Sequence, residues 1–428
     1  MAFAFTVMAD PVSSVAYAIE AALAQLDGDL GQLVLTMSLV VVTIVLVAAT
    51  YHQLIGRFPD GGGGAEALAS AFGEGWAFVP VGALLVDFTL TIAVSCAAAA
   101  SAVIAAVPSI ADTRMPLALG LVVLVAAGSA LGHRGRIVFG TATIAFVGMA
   151  LFVLARGAGG DPSAGPAEPL VGDAALVPVL LAMPLGMALA TGVEAPSNAI
   201  AQLSQLDRAE RRLFGRLTIW VMLVVVGTLT LGFAILAVRF GVGSPGSNST
   251  LLAEVAKEAT GEDVTFDAFQ AASALLLLAA AASSYLAGSG LLSALATHGR
   301  QDGGGLLPER LRRRNRFLAP YWGLGVLLAL AACLVALTGG RDQELVHFYA
   351  AAVFASFLAA LVACARLSWR DGNRAALAVN VAGVIPVVFI LVMNLLRVDP
   401  IAALAAAGAI SWMLHWRRVR HGRWPIGT

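Results

Sequence analysis

Four carboxylic acids, Asp10, Glu20, Asp87 and Glu194, sit inside long apolar stretches that carry no Lys or Arg at similar depth. A carboxylate at the centre of a bilayer costs about 2.5–3.5 kcal/mol on insertion scales, so such a group either holds a proton or faces water or a cation. Glu20 falls near the end of its stretch and reads as an interfacial residue. Asp10, Asp87 and Glu194 read as functional. Asp10 precedes Pro11, which biases it away from helix and removes a backbone donor, and Ser13 and Ser14 follow. Thr191-Gly192-Val193-Glu194-Ala195-Pro196 marks a second interruption. Broken helices offer free carbonyls and half-helix ends that coordinate cations. Asp87, Thr91 and Ser95 are spaced i, i+4, i+8 and share one helix face, a polar stripe on an otherwise apolar segment. The chemistry open to this set is cation coordination by oxygen, with proton exchange beside it. Burial without a base disfavours the charged form of a carboxyl, which makes Asp87 and Glu194 the proton-coupling candidates.

These residues need helices that hold them in a membrane. The chain has 428 residues, 59% hydrophobic and 12% charged, where soluble domains run near 25% charged. That composition excludes a soluble, disordered or nucleic-acid-binding chain. A span needs about 20 apolar residues. Nine stretches qualify with at most one His: 33–50, 115–132, 137–155, 217–238, 268–297, 317–340, 345–365, 375–396 and 400–416. Three more contain the acids: 1–26, 75–107 and 174–202. The reading is an all-α membrane protein with twelve transmembrane helices. With the N-terminus in the cytoplasm, twenty of the 26 Lys and Arg fall inside and six outside. Such a split orients the chain by the positive-inside rule, with both termini cytoplasmic. The longest outside loop, 240–267, contains a short helical candidate at 250–259.

Other chemistries lack their residues. Cys96, Cys333 and Cys364 lie singly in apolar runs, with no CxxC, so neither a metal cluster nor a disulfide framework is expected. The basic run RLRRRNR at 310–316 sits at the mouth of two apolar helices and reads as a topology signal. Gly61–Gly64 lacks the Gly-Lys-Ser/Thr that completes a phosphate cradle, so ATP-driven pumping has no support and no cofactor is expected. The TVGYG filter of potassium channels is missing, as are HExxH and GxSxG. An enzyme is not expected, and a cation channel ranks below a transporter.

The first and sixth stretches occupy corresponding positions in two five-helix halves, and interrupted helices in matching positions point to an inverted-repeat transporter. Here the sequence resembles the amino acid–polyamine–organocation (APC) superfamily, and within it the bacterial high-affinity potassium–proton symporters of KUP type. The resemblance covers Asp10 to about Trp416. It rests on DPVSSVAY (10–17), YHQLIGRFPDGGGGAEAL (51–68), LLVDFTLTIAVS (84–95), TGVEAPSNAI (191–200) and FYAAAVFASF (348–357), in that order. It implies a five-plus-five inverted-repeat core over 1–366 (helices 1–5 at 1–156, 6–10 at 174–366), with helices 1 and 6 broken. Helices 11 and 12 and a short tail follow over 367–428. It implies that Asp10, Tyr17, Thr91, Ser95, Thr191 and Tyr349 line a potassium site, and that Asp87 and Glu194 are the other membrane carboxylates, suspected of proton coupling. Two departures stand out. Only nine residues precede Asp10, about 14 Å of helix. Relatives of that branch also carry a cytosolic C-terminal regulatory domain, so regulation or dimerisation through such a tail is not expected here, and a homodimer is left open.

Substrate follows from the same residues. A potassium site replaces a hydration shell with several oxygens, which the six residues and broken-helix carbonyls could supply. An amino-acid carboxylate instead wants free amides at a break, whereas the first break is Ala-Asp-Pro-Val-Ser-Ser. It has no glycine and a carboxyl that repels an acid but attracts an amine. The expectation is proton-coupled uptake of potassium or a similar cation across a bacterial-type cytoplasmic membrane. A proton-coupled amino acid or amine permease is the alternative.

Overall fold

A computed structural model describes residues 2–132, 136–159, 176–200, 203, 206–297 and 305–421. Its elements are helices, with no strand among the described residues. In chain order they are α1 (Ala2–Ser13), α2 (Val15–Gln25), α3 (Leu33–Arg57), α4 (Gly63–Phe72), α5 (Phe78–Ala106) and α6 (Arg114–Ala130). Then come α7 (Arg136–Gly159), α8 (Leu176–Gly186), α9 (Ala195–Ala199), α10 (Arg208–Phe240) and α11 (Leu251–Thr260). The last are α12 (Val264–Thr297), α13 (Tyr321–Leu337), α14 (Asp342–Arg370), α15 (Arg374–Leu395) and α16 (Val398–His421). Among the described residues, 10 helical segments are long and apolar enough to cross a membrane, the first being Val7–Gln25. The pair Tyr321–Leu337 and Asp342–Phe348, bent by 115°, brings the number to 11 if counted as one span. The chain is therefore an integral membrane protein. The expected twelve spans are not reached on length and composition alone: α13 has 17 residues, and α16 is helical but outside that set.

Local chemistry sets the boundaries. Asp207 caps α10 in a reciprocal box with Glu210, satisfying two otherwise orphaned amides, and Gly241 ends it at φ +65. Thr250 caps α11 through Ala253 N–H at 3.2 Å, so the short helix expected in the 240–267 loop forms one residue beyond its expected start. The core is the packing of α5 on α12 and α14. Both α5 and α12 carry runs of Ala and Ser, Ser95–Ser101 and Ala279–Ser284. Small side chains let helix backbones approach where lipid offers no hydrophobic drive.

Polar contacts at the helix ends join loops that the charge count places on one side. Arg57 pairs with Asp371 at 2.6 Å, and Asp60 with both Arg208 and Arg211 at 3.0 Å. Arg418 pairs with Glu74. On the other side Arg397 donates to Gln25 at 2.8 Å, and Arg114 reaches the Ser247 carbonyl.

Candidate functional site

The site is built where the first and sixth spans are interrupted. The sixth opens as expected. Helix α8 tightens into a 3-10 turn over Met187–Ala190, Thr191 turns extended at ψ 140, and α9 starts at Ala195. Gly192 takes φ +73, a left-handed conformation that side chains other than glycine rarely adopt. A Cβ at Gly192 would lie 2.8 Å from Pro11 Cδ and 2.9 Å from Asp10 Oδ2. The two interruptions thus pack backbone against side chain, and the missing methyl of Gly192 is what admits the Asp10 carboxyl.

The first interruption differs from expectation. Asp10 and Pro11 are helical, and the break falls at Ser14 between α1 and α2. The reason is hydroxyl chemistry. Ser13 Oγ donates to the Asp10 carbonyl at 2.7 Å, and Ser14 Oγ lies 2.7 Å from the Pro11 carbonyl and 3.2 Å from that of Leu189. Side-chain bonds to the preceding turn compete with the helical ladder. The serines satisfy carbonyls around Pro11 and move the nick three residues past it. Ser14 also stitches the nick to the 3-10 turn of the sixth span.

Asp10, Tyr17, Asp87, Thr91, Ser95, Thr191 and Glu194 are all buried. Asp10, Asp87 and Glu194 lie within electrostatic reach of one another, and Tyr17 within reach of Asp10 and Asp87. No basic side chain among the described residues pairs with Asp10 or Glu194. Among the described residues, the buried oxygens with no hydrogen-bond partner include Asp10 Oδ1, Tyr17 Oη, Ser95 Oγ, Thr191 Oγ1 and Glu194 Oε2. The Tyr17 and Thr191 hydroxyls lie close to each other. Ser95 is informative by contrast with its own helix. Thr89 donates to the Leu85 carbonyl at 2.9 Å in the usual back-bond, whereas the Ser95 oxygen is left over. Buried polar groups normally find partners, so a cluster of oxygens without them is suited to a ligand that accepts only oxygen. Thr91 shares the buried face of α5 with Asp87 and Ser95. Tyr349 lies on α14, but its side chain falls outside the described residues.

No three His, Cys, Asp or Glu side chains among the described residues come close enough to hold one metal ion. Asp10, Asp87 and Glu194 therefore do not form a single three-carboxylate metal cage. A cation here would take one carboxylate at most from each approach and complete its shell with hydroxyl and backbone oxygens.

Tyr51 on α3 belongs to this neighbourhood, although its sequence context marks it only as the start of a loop motif. It is fully buried, sits edge-on to Phe357 at 6.1 Å, and lies within electrostatic reach of Glu194 and Asp87. The glycine loop finds its reason here too. A Cβ at Gly63 would meet Asn198 Oδ1 at 2.7 Å and Ser197 Oγ at 2.8 Å. The run of glycines lets α4 close onto α9, behind Glu194.

Comparison with known proteins places the chain. The sequence model of the family described as "Amino acid permease" matches residues 2–410. Among curated proteins, the chain is 28% identical over 330 residues to "Potassium transporter KimA" of Bacillus subtilis (strain 168). That alignment covers 74% of this chain and 52% of the relative, so the chain spans about half the length of the protein it matches.

Proposed function

The chain belongs to the amino acid permease family of membrane transporters, within the APC superfamily, and on that premise we propose that it carries potassium or a similar cation by proton-coupled secondary transport. The observation that supports the reading most is the buried Asp10 carboxyl, with an oxygen that has no partner, no base to neutralise it, and the Tyr17 and Thr191 hydroxyls nearby. A carboxyl so placed is stabilised by a cation. Asp10, Tyr17, Ser95 and Thr191 form the cation site in this reading, with Thr91 and Tyr349 completing it from α5 and α14. Asp87 and Glu194 exchange the coupling protons. The architecture proposed with it is twelve spans, five-plus-five inverted repeats over 1–366, and α15 and α16 trailing. The arginine-rich side faces the cytoplasm of a bacterial-type inner membrane.

A proton-coupled amino acid or amine permease is the second reading, favoured by the family's description. Asp10 would then hold the amine. The first break supports it less. The break at Ser14 has no glycine, Pro11 before it supplies no amide N–H, and the nearby Asp10 carboxyl would repel a substrate carboxylate.

The test is growth of a potassium-uptake-deficient bacterium at micromolar potassium, with wild type against Asp10→Asn. Wild type should rescue and Asp10→Asn should not. Failure of wild type to rescue, with amino-acid uptake in its place, would sink the potassium reading.

A further inference from the structure

Two acids near the outer ends of the helices are not absorbed by the Asp10 site. Asp342 begins α14 and is 6% exposed. Its Oδ1 accepts a 2.7 Å bond from Ser101 Oγ of α5, and Ser101 Oγ in turn accepts from Arg114 Nη1 at 2.7 Å. The guanidinium thus stands one hydroxyl behind Asp342, and its other arm is taken by the Ser247 carbonyl. Glu20, on the last turns of α2, accepts from Leu251 N–H at 2.9 Å, the first amide of α11. Neither acid is in an ion pair among the described residues. One guanidinium, that of Arg114, stands within electrostatic reach of both.

Beside Asp342 is a small cavity whose wall includes Ala16, Ala98, Ala102, Thr250 and Gln270. The alanines leave the space. Gln270 on α12 is 2% exposed, and its amide Nε2 has no partner. Amide nitrogen and oxygen are interchangeable by a flip of the side chain, so Gln270 can turn a carbonyl oxygen into the cavity. On the inner side, Tyr17 lies within electrostatic reach of both Asp342 and Asp10. The corner is therefore one tyrosine away from the proposed transport site.

We propose that Asp342 and Gln270, with Glu20 beside them on the Leu251 amide, form a second, outer binding site for a partly dehydrated monovalent cation, a station on the way to Asp10. Glu20 ties its occupancy to the seat of α11, which lies over the cavity through Thr250 and Leu252. The proposal rests on the reading that the cargo is a cation, and its test separates the two.

Full-length protein is assayed in detergent and in liposomes, with potassium and rubidium as probes. In an Asp10→Asn background, potassium chloride should still raise the melting temperature relative to an organic-cation chloride. Adding Asp342→Asn should weaken the potassium dependence about tenfold, as expected for loss of one charge in a partly solvated pocket. Asparagine keeps an oxygen for the Ser101 hydroxyl, and Glu20→Gln keeps one for Leu251 N–H, so both variants retain those contacts. With Asp10 intact, either variant should raise the KM for rubidium arriving from the α11 side about tenfold, and the KM from the opposite side by far less. Equal shifts from both sides would overturn the proposal, as would potassium stabilisation of Asp10→Asn that ignores Asp342. If wild type carries no rubidium while the Asp342-dependent stabilisation persists, the transport reading falls and the outer site stands.

Discussion

Replacing Gly192 with alanine tests whether the contact between the two interruptions sets the site. The substitution has two separable costs. The first is conformational: φ is +73, and an L-residue in the left-handed region loses about 1–2 kcal/mol. About 0.4–1 kcal/mol of that is returned because alanine has less freedom to lose on folding, which leaves a net destabilisation of about 1 kcal/mol. The second is steric: the new methyl would sit 2.8 Å from Pro11 Cδ and 2.9 Å from Asp10 Oδ2. Contacts that close force the carboxyl or the backbone to move by several tenths of an ångström. Gly241 is the matched control, since it has φ +65 and a methyl added there would meet nothing within 4 Å. Gly192→Ala should lose at least as much thermal stability in detergent as Gly241→Ala, which bears the conformational cost alone. Only Gly192→Ala should raise the substrate KM or slow transport, by about tenfold or more, since misplacement on the ångström scale costs up to about a hundredfold. Rubidium flux into liposomes reads the difference. Equal transport by the two variants would refute the claim that Gly192 positions Asp10.

Two further outcomes follow. Asp87→Asn and Glu194→Gln should depress gradient-driven accumulation more than equilibrium exchange; equal loss of both would remove the proton role and leave a purely structural one. Asn380 on α15 accepts from Thr50 at 2.9 Å and donates to Gln53 at 3.0 Å and Ser368 at 3.3 Å. Asn380→Leu should destabilise the protein by about 1–2 kcal/mol, with little change in substrate KM, and a melting temperature indistinguishable from wild type would argue against a tie between α15 and the core.

The helices are legible in the sequence because a bilayer demands length and apolarity, and both are written along the chain. The break in the sixth span is legible for a local reason: glycine, a carboxylate and proline stand within five residues. The first break lies elsewhere than Asp10-Pro11 suggests, because its position depends on Ser13 and Ser14 satisfying carbonyls around Pro11 and on Leu189, 175 residues away, accepting from Ser14. Asp342 has the sequence context of an outside-loop acid. Its partner Ser101, and Arg114 behind that serine, are linked to it by no local pattern. Asn380 is hidden to a search for charges, which passes over amides in apolar runs. Residue type and helix face mark the site residues, and their mutual reach comes only with the packing of the two interruptions.

The separation of the carboxyls bears on how coupling could work. Asp10, Asp87 and Glu194 influence one another, yet they do not gather around one ion. A single cage of three carboxylates would bind a divalent metal tightly and release it slowly. Spread apart, they can divide the work, with one carboxylate beside the cargo and the others exchanging protons. Two unit charges at an effective dielectric near 20 interact by at most a few kcal/mol, comparable with coupling free energies of about 1–3 kcal/mol. Arrival of a cation at Asp10 and loss of a proton at a neighbour each change the net charge that the other meets. In the proposed mechanism that shared field, in a site without a fixed base, links the two ions while leaving each free to depart.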